Sequence, residues 1–173
     1  QGAFTRKVIT TMASQVEHPI IFPLSNPLTL VEAVPDDLIR WTGGKALVAT
    51  GSPFNDVNFR GKSYPVAQCN NALIFPGLGL GVISSQAERV TAGMMDAATQ
   101  ALASSAEEED IQRLLPDVSH LMEVSKNIGM AVAQQAILEG VACCQDNDVE
   151  SLVESNIWEP VYRPYKPIKM PAK

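Results

Sequence analysis

A chain of 173 residues that is 46% hydrophobic and 18% charged suits a soluble globular domain with a real core, and excludes a disordered polymer. Its formal charge of −6 excludes a nucleic-acid footprint, because phosphate binding needs clustered Lys and Arg. The single basic cluster, residues 163–173, is broken by prolines and reads as a solvated or docked terminus, and no apolar run reaches the roughly 20 residues of a membrane span.

Gln1-Gly2-Ala3-Phe4 runs straight into a helical pattern without an initiator Met, as expected of a piece of a longer protein. Phe4, Val8, Ile9 and Met12 fall at helical spacing with Thr5 as a cap, which predicts a first helix ending near Ser14. Pro19-Ile20-Ile21-Phe22 is a short apolar run that suits a buried parallel strand, and the loop Ser25-Asn26-Pro27 follows it. Pro35 opens a second helix at its favoured first position, Asp36 and Asp37 suit the positive end of the dipole, and Gly43-Gly44 stop it. Ala46-Leu47-Val48-Ala49 is a second buried strand, which completes a βαβ unit and ends in the turn Gly51-Ser52-Pro53. Residues 59–66, with Arg60-Gly61 or Gly61-Lys62 at the tip, read as a surface hairpin.

The remainder reads as helical. Phe75–Ser85 is an apolar, glycine-dotted helix. Thr91 caps a helix to about Ser104 with Met95, Ala98 and Leu102 on one face. Ser119 caps a long one carrying Leu121, Val124, Ile128, Val132 and Ile137, which Gly140 terminates. Residues 106–110 form an acidic, solvated connection, and an extended aromatic and proline-rich tail begins at Trp158. The expected organisation is α/β, the C-terminal half of a Rossmann-like doubly wound parallel sheet over residues 1–145, with a C-terminal helix and extended tail over 146–173. Two strands are too few for such a sheet. The missing ones are expected before Gln1 or from a partner, and the exposed edges favour a homo-oligomer.

In an open α/β sheet, ligands sit beyond the carboxyl ends of the strands. Ser25-Asn26-Pro27 and Thr50-Gly51-Ser52 emerge there. The Asn26 amide can donate to a carboxylate or carbonyl and accept from a hydroxyl, independently of pH; spacing alone favours a turn-forming Asx residue instead. Asn70-Asn71 is the second candidate, against an ordinary helix cap. Gly77-Leu78-Gly79-Leu80-Gly81 has GxGxG spacing and follows Pro76 rather than a strand, so it reads as close helix packing and not a pyrophosphate turn. Asp36-Asp37 and the acidic run are consecutive, which suits helix starts and solvent better than a metal. His18 and His120 are far apart, and neither they nor the cysteines make a catalytic or metal constellation. Cys69, Cys143 and Cys144 show no CxxC spacing, and an adjacent pair makes a poor disulfide, so a reducing, cytoplasmic setting is expected.

The same loops carry a resemblance. Ile21-Phe22-Pro23-Leu24-Ser25-Asn26-Pro27 resembles the LSNP segment of malic enzymes, and residues 41–54 resemble their WT.G.AL.A.GSPF block. Residues 68–81 resemble their Q.NN..IFPG.GLG block, and residues 158–165 their C-terminal ending. The Gln-Cys-Asn-Asn version is most similar to bacterial NAD-dependent malic enzymes. The resemblance implies oxidation of malate by hydride transfer to NAD, then decarboxylation to pyruvate and CO2 assisted by Mg2+ or Mn2+. It implies that Asn26 and Asn70 contact the cofactor, and that Asn26, Asn70 and Asn71 contact the substrate. It also implies that the catalytic tyrosine and lysine, the metal carboxylates and the glycine-rich dinucleotide turn lie upstream of this stretch; Lys45, Lys62 and Tyr64 are not stand-ins. Malolactic enzyme, which converts malate to lactate, shares these blocks and is the alternative within the family. A non-catalytic interaction module is the alternative from another class.

Overall fold

The structure, a computed structural model, describes residues 2–106, 113–145, 148–159, 161–162 and 164–165. The acidic run 107–110 and most of the basic tail, residues 163 and 166–173, lie outside the described residues.

The first helix, α1 (Arg6–Gln15), starts where expected because the Thr5 hydroxyl accepts from the Val8 amide at 3.4 Å, and it buries Ile9. Strand β1 (Ile20–Ile21) turns Ile21 inward and leaves Ile20 exposed. Helix α2 (Pro35–Trp41) has Pro35 in its first turn, where the missing N–H is no loss, and buries Leu38 and Ile39. An exposed Asp36–Arg40 pair at 2.5 Å spans one turn. Gly43 and Gly44, at φ +67° and +87°, end the helix in a conformation that costs glycine least. The buried Thr42 hydroxyl donates to the Leu38 carbonyl at 2.8 Å and accepts from the Ala46 amide at 3.1 Å, so the helix end is tied to β2 (Leu47–Thr50).

Beyond β2 the expectation needs correction. The hairpin consists of β3 (Val57–Phe59) and β4 (Lys62–Tyr64), with Arg60 and Gly61 both at positive φ as a two-residue primed turn requires. Val66 does not belong to it. It opens a third parallel strand, β5 (Val66–Gln68), which pairs with β2 so that Val48 lies opposite Val66 and Thr50 opposite Gln68. The sheet is therefore β1-β2-β5, all parallel, with Ile20 and Ile21 opposite Leu47 and Val48. Ile9, Ile21, Leu38, Ile39, Val48 and Val57 form its core.

A second core lies among α3 (Phe75–Ser85), α4 (Ala92–Ser104) and α5 (Leu121–Leu138), built on Met94, Ala98, Val124, Ile128, Val132 and Ala136. Two details differ from expectation. Met94, not Met95, faces this core, one position round the helix, and Met95 is exposed. The cap before α5 is Asp117, not Ser119: its carboxylate accepts from both the amide and the hydroxyl of Ser119 at 2.8 Å, which uses that hydroxyl as a donor. Thr91 caps α4 and Gly140, at φ +66°, follows α5, as expected. A last helix, α6 (Val149–Asn156), buries Val153 and is held to α5 by Lys126 Nζ, 2.6 Å from Glu154.

The glycines of α3 are not equivalent. A Cβ on Gly77 would lie 2.6 Å from Ile128 Cβ, and one on Gly81 would lie 2.6 Å from Val132 Cβ and 2.7 Å from the Gly129 carbonyl oxygen. Gly79 has open space. Close helix packing, as read from the sequence, thus holds for Gly77 and Gly81. Gly81→Ala should cost up to about 2 kcal/mol, since overpacking of about 1–3 kcal/mol is set against a ~1 kcal/mol gain in helix propensity. Gly79→Ala should be neutral or stabilising by up to ~1 kcal/mol. Urea unfolding of both variants checks this, and the opposite order contradicts the packing.

Candidate functional site

Because β1, β2 and β5 are parallel neighbours, three loops leave one edge of the sheet: residues 22–27, 51–54 and 69–71. Two backbone bonds hold them in step. The Gly51 amide donates to the Pro23 carbonyl at 3.3 Å, and the Cys69 amide to the Thr50 carbonyl at 2.9 Å. The outer loops begin about 10 Å apart, two strand spacings.

Asn26 sits on the first loop, exposed, before a cis peptide bond to Pro27. Its Oδ1 accepts a hydrogen bond from the hydroxyl of Ser52, which is only 6% exposed. Ser52 is itself held by Thr50, whose buried hydroxyl donates to the Ser52 carbonyl at 2.8 Å. Gly51, between them, is where the loops touch most closely. A Cβ there would collide with the Leu24 carbonyl oxygen and lie 2.9 Å from Asn26 Nδ2.

Asn70 and Asn71 are both exposed on the third loop. The Asn70 Oδ1 accepts from the Ala72 amide at 3.0 Å and caps the short 3-10 turn Asn71–Leu73, which precedes α3. The cap role and a ligand role are compatible, since a cap uses only the carbonyl end of the amide. The Asn71 side chain has no hydrogen bond among the described residues.

The edge is chemically neutral. Burial pushes the Cys69 thiol up from its ordinary range, so it is a thiol and not a thiolate at neutral pH. Gln68, Thr50 and Ser52 carry no charge. An ionised pair lies beside β5, where a cavity of about 210 Å3 is lined by Phe54, Gln68, Arg113 and Asp117. The Ser119 amide and hydroxyl, and then Arg113 at 3.0 Å, hold the Asp117 carboxyl below its usual range. Among the described residues, no group of three or more His, Cys, Asp and Glu side chains is placed to hold a metal ion. Neutral amides and hydroxyls of this kind can donate to or accept from oxygen-bearing groups, and Asn26, Ser52, Asn70 and Asn71 themselves carry no acid or base.

Residues 1–137 match the family described as malic enzyme, NAD binding domain. The chain belongs to the malic enzyme family. It is 52% identical over 168 residues to the NAD-dependent malic enzyme of Sodalis glossinidius, a match covering 95% of this chain and 30% of that protein. The NAD-dependent malic enzyme of Pectobacterium carotovorum is 49% identical over the same share of each chain. Among solved structures, the malic enzyme of Pyrococcus horikoshii superposes on 90% of this chain and 31% of its own, with a TM-score of 0.69 and 31% identity. That of Entamoeba histolytica gives the same TM-score at 29% identity, over 90% of this chain and 29% of its own. The malic enzyme fold thus accounts for the Rossmann-like α/β architecture, while the chain spans about 30% of the length of the curated relatives it matches.

Of the sequence candidates, Asn26 and Asn70 are each fixed by a hydrogen bond through Oδ1, and all three asparagines open at the same edge. Ser52 was not singled out from the sequence. The only signal for it is its place in the turn after β2, one residue past a glycine. The two neighbouring amides of the third loop separate in a stability test. Asn70→Ala removes a cap and should cost about 1 kcal/mol, whereas Asn71→Ala should stay within about 0.5 kcal/mol. Equal losses in chemical denaturation would contradict the assignment of the cap to Asn70.

Proposed function

We propose that this chain forms part of an NAD-dependent malic enzyme that oxidatively decarboxylates (S)-malate to pyruvate and CO2, with Asn26, Asn70 and Asn71 orienting the reactants. The observation that carries the proposal is the convergence of two amide-bearing loops, with the serine loop between them, on the carboxyl edge of three adjacent parallel strands, in a chain of this family. Neutral amides hold carboxylates without competing for the protons that move during the reaction. Asn26 Nδ2 and the Asn71 amide are donors for malate carboxylate oxygens, and Asn26 and Asn70 suit the carboxamide of the nicotinamide.

NAD supplies the hydride acceptor, and the names of the curated relatives support NAD as the cofactor. The residues at this edge fit its nicotinamide end only. Gly77 and Gly81 face α5, so the glycine-rich helix is no cradle for a pyrophosphate. A divalent metal does not fit a site made from the described residues alone. Its ligands, and the acid and base of the reaction, then come from outside them. Free Cys69, Cys143 and Cys144 are in keeping with a cytoplasmic enzyme. Among the described residues β1 and β5 are the outer strands of the sheet, and unpaired strand edges favour an oligomeric assembly.

Two assays test the proposal. The chain alone, given malate, NAD and Mn2+, should produce no NADH above background. In the full-length enzyme that contains it, Asn26→Ala should lower kcat/KM for malate roughly tenfold to more than a hundredfold, the kinetic equivalent of losing one positioned hydrogen bond to a charged group, about 1.5–3 kcal/mol. Pyruvate with NADH is the expected product, and lactate would reassign the reaction. A destabilised but kinetically normal Asn26→Ala would return Asn26 to a turn-forming role.

A further inference from the structure

We infer that Ser52 is a positioning residue that sets the polarity of the Asn26 amide, so that the end presented to the ligand is the Nδ2 donor and the group it selects is an acceptor oxygen. The inference rests on the ligand-facing role of Asn26 proposed above.

An asparagine amide has two ends of similar shape and opposite hydrogen-bonding character, and a flip about its last torsion exchanges them. An exposed loop asparagine therefore presents a donor or an acceptor according to what its neighbours take. Ser52 decides this. Its hydroxyl donates to Oδ1 of Asn26, and Nδ2 has no protein partner among the described residues. The serine is well placed to impose the choice. It is 94% buried by its 6% exposure, and its own carbonyl is anchored by the buried Thr50 hydroxyl at 2.8 Å. The chain of bonds runs from the end of β2 through Thr50 and Ser52 to Asn26, so the rigid sheet fixes a side chain on a neighbouring loop.

Gly51 completes the device from the other side. Any Cβ there would lie 2.9 Å from Nδ2, crowding the free end of the amide. A hydroxyl anchors Oδ1 and the missing side chain leaves Nδ2 uncovered. A donor so displayed takes an acceptor oxygen: a carboxylate of malate or the carboxamide oxygen of the nicotinamide. It rejects a ligand group that is itself a donor, because two facing N–H or O–H groups leave both unpaired.

The test uses the full-length enzyme with Ser52→Ala, Ser52→Cys, Asn26→Ala and the Ser52→Ala/Asn26→Ala double variant. Loss of the positioning bond weakens binding of the ground state and the transition state alike. Ser52→Ala should therefore raise KM about tenfold with kcat within about twofold, the effect of a net hydrogen bond. The KM that rises, for malate or for NAD, identifies which oxygen Nδ2 meets. Ser52→Cys, of nearly the same shape but a weaker donor, should fall between wild type and Ser52→Ala, which keeps the test open if the alanine variant folds poorly. In the Asn26→Ala background, Ser52→Ala should cost nothing further. A purely structural serine would lower Vmax through loss of folded enzyme, leave KM unchanged and add its cost in both backgrounds; that result overturns the inference. Impaired Asn26→Ala with a kinetically normal Ser52→Ala overturns the inference alone. A kinetically normal Asn26→Ala overturns the reading of Asn26 and this inference with it.

Discussion

The Gly51 amide donates to the Pro23 carbonyl, and the Cys69 amide to the Thr50 carbonyl, so the parallel ladder continues past the end of each strand into the loops. That continuation brings three separate stretches of sequence to one place. It works only because residue 51 lacks a side chain: the Leu24 carbonyl and the Asn26 amide occupy the space a Cβ would need. With any other residue the first two loops would part, and Asn26 would lose its serine. The close approach of two backbones, rather than any charge, is the constraint on which the candidate site depends.

The second core secures the third loop. Leu73 is buried at the end of the 3-10 turn, and Ile74 packs against the helical cluster of α3, α4 and α5. Asn70 and Asn71 therefore lie on a short bridge with both ends fixed, one to the sheet through Cys69 and the other to the helices. The glycine seam along α3 allows α5 to approach closely enough for Ile128 and Val132 to fill that core. Helix packing far from the edge thus bears on the placement of the amides. The division of labour is plain in chemical terms. This chain brings neutral hydrogen-bonding groups to the edge, and the titratable groups that the proposed reaction needs are not among the described residues gathered there.

Local signals in the sequence were sufficient for α1, α2, α4 and the end of α5, since each starts or stops on a residue with one physical job: Thr5 and Thr91 as caps, Pro35 at a first turn, Gly43 and Gly140 past an end. The third strand was not legible. Val66-Ala67-Gln68 is three residues long with only Ala67 buried, and the crossover from β2 carries a hairpin where a βαβ reading expects a helix. Ser119 stood for Asp117 because both are good capping residues two positions apart, and only the three-dimensional arrangement shows which oxygen accepts. At the site, spacing alone favoured a turn role for Asn26 and a cap for Asn70. Asn70 does cap, and the resemblance supplied the ligand role that the residues themselves did not. The turn holding Ser52 was legible as part of the edge, but its bond to Asn26 was not, because the two residues are 26 apart in sequence and adjacent only once the two strands pair.

Side-chain amide NMR of the full-length enzyme tests the central claim, that three loops at one sheet edge form a single neutral binding surface. With 15N-labelled protein assigned through single Asn substitutions, addition of malate and NAD should shift the Nδ2 resonances of Asn26, Asn70 and Asn71 together and over one saturation curve. Unmoved resonances for all three, with ligand-induced shifts confined to other parts of the molecule, would contradict the account.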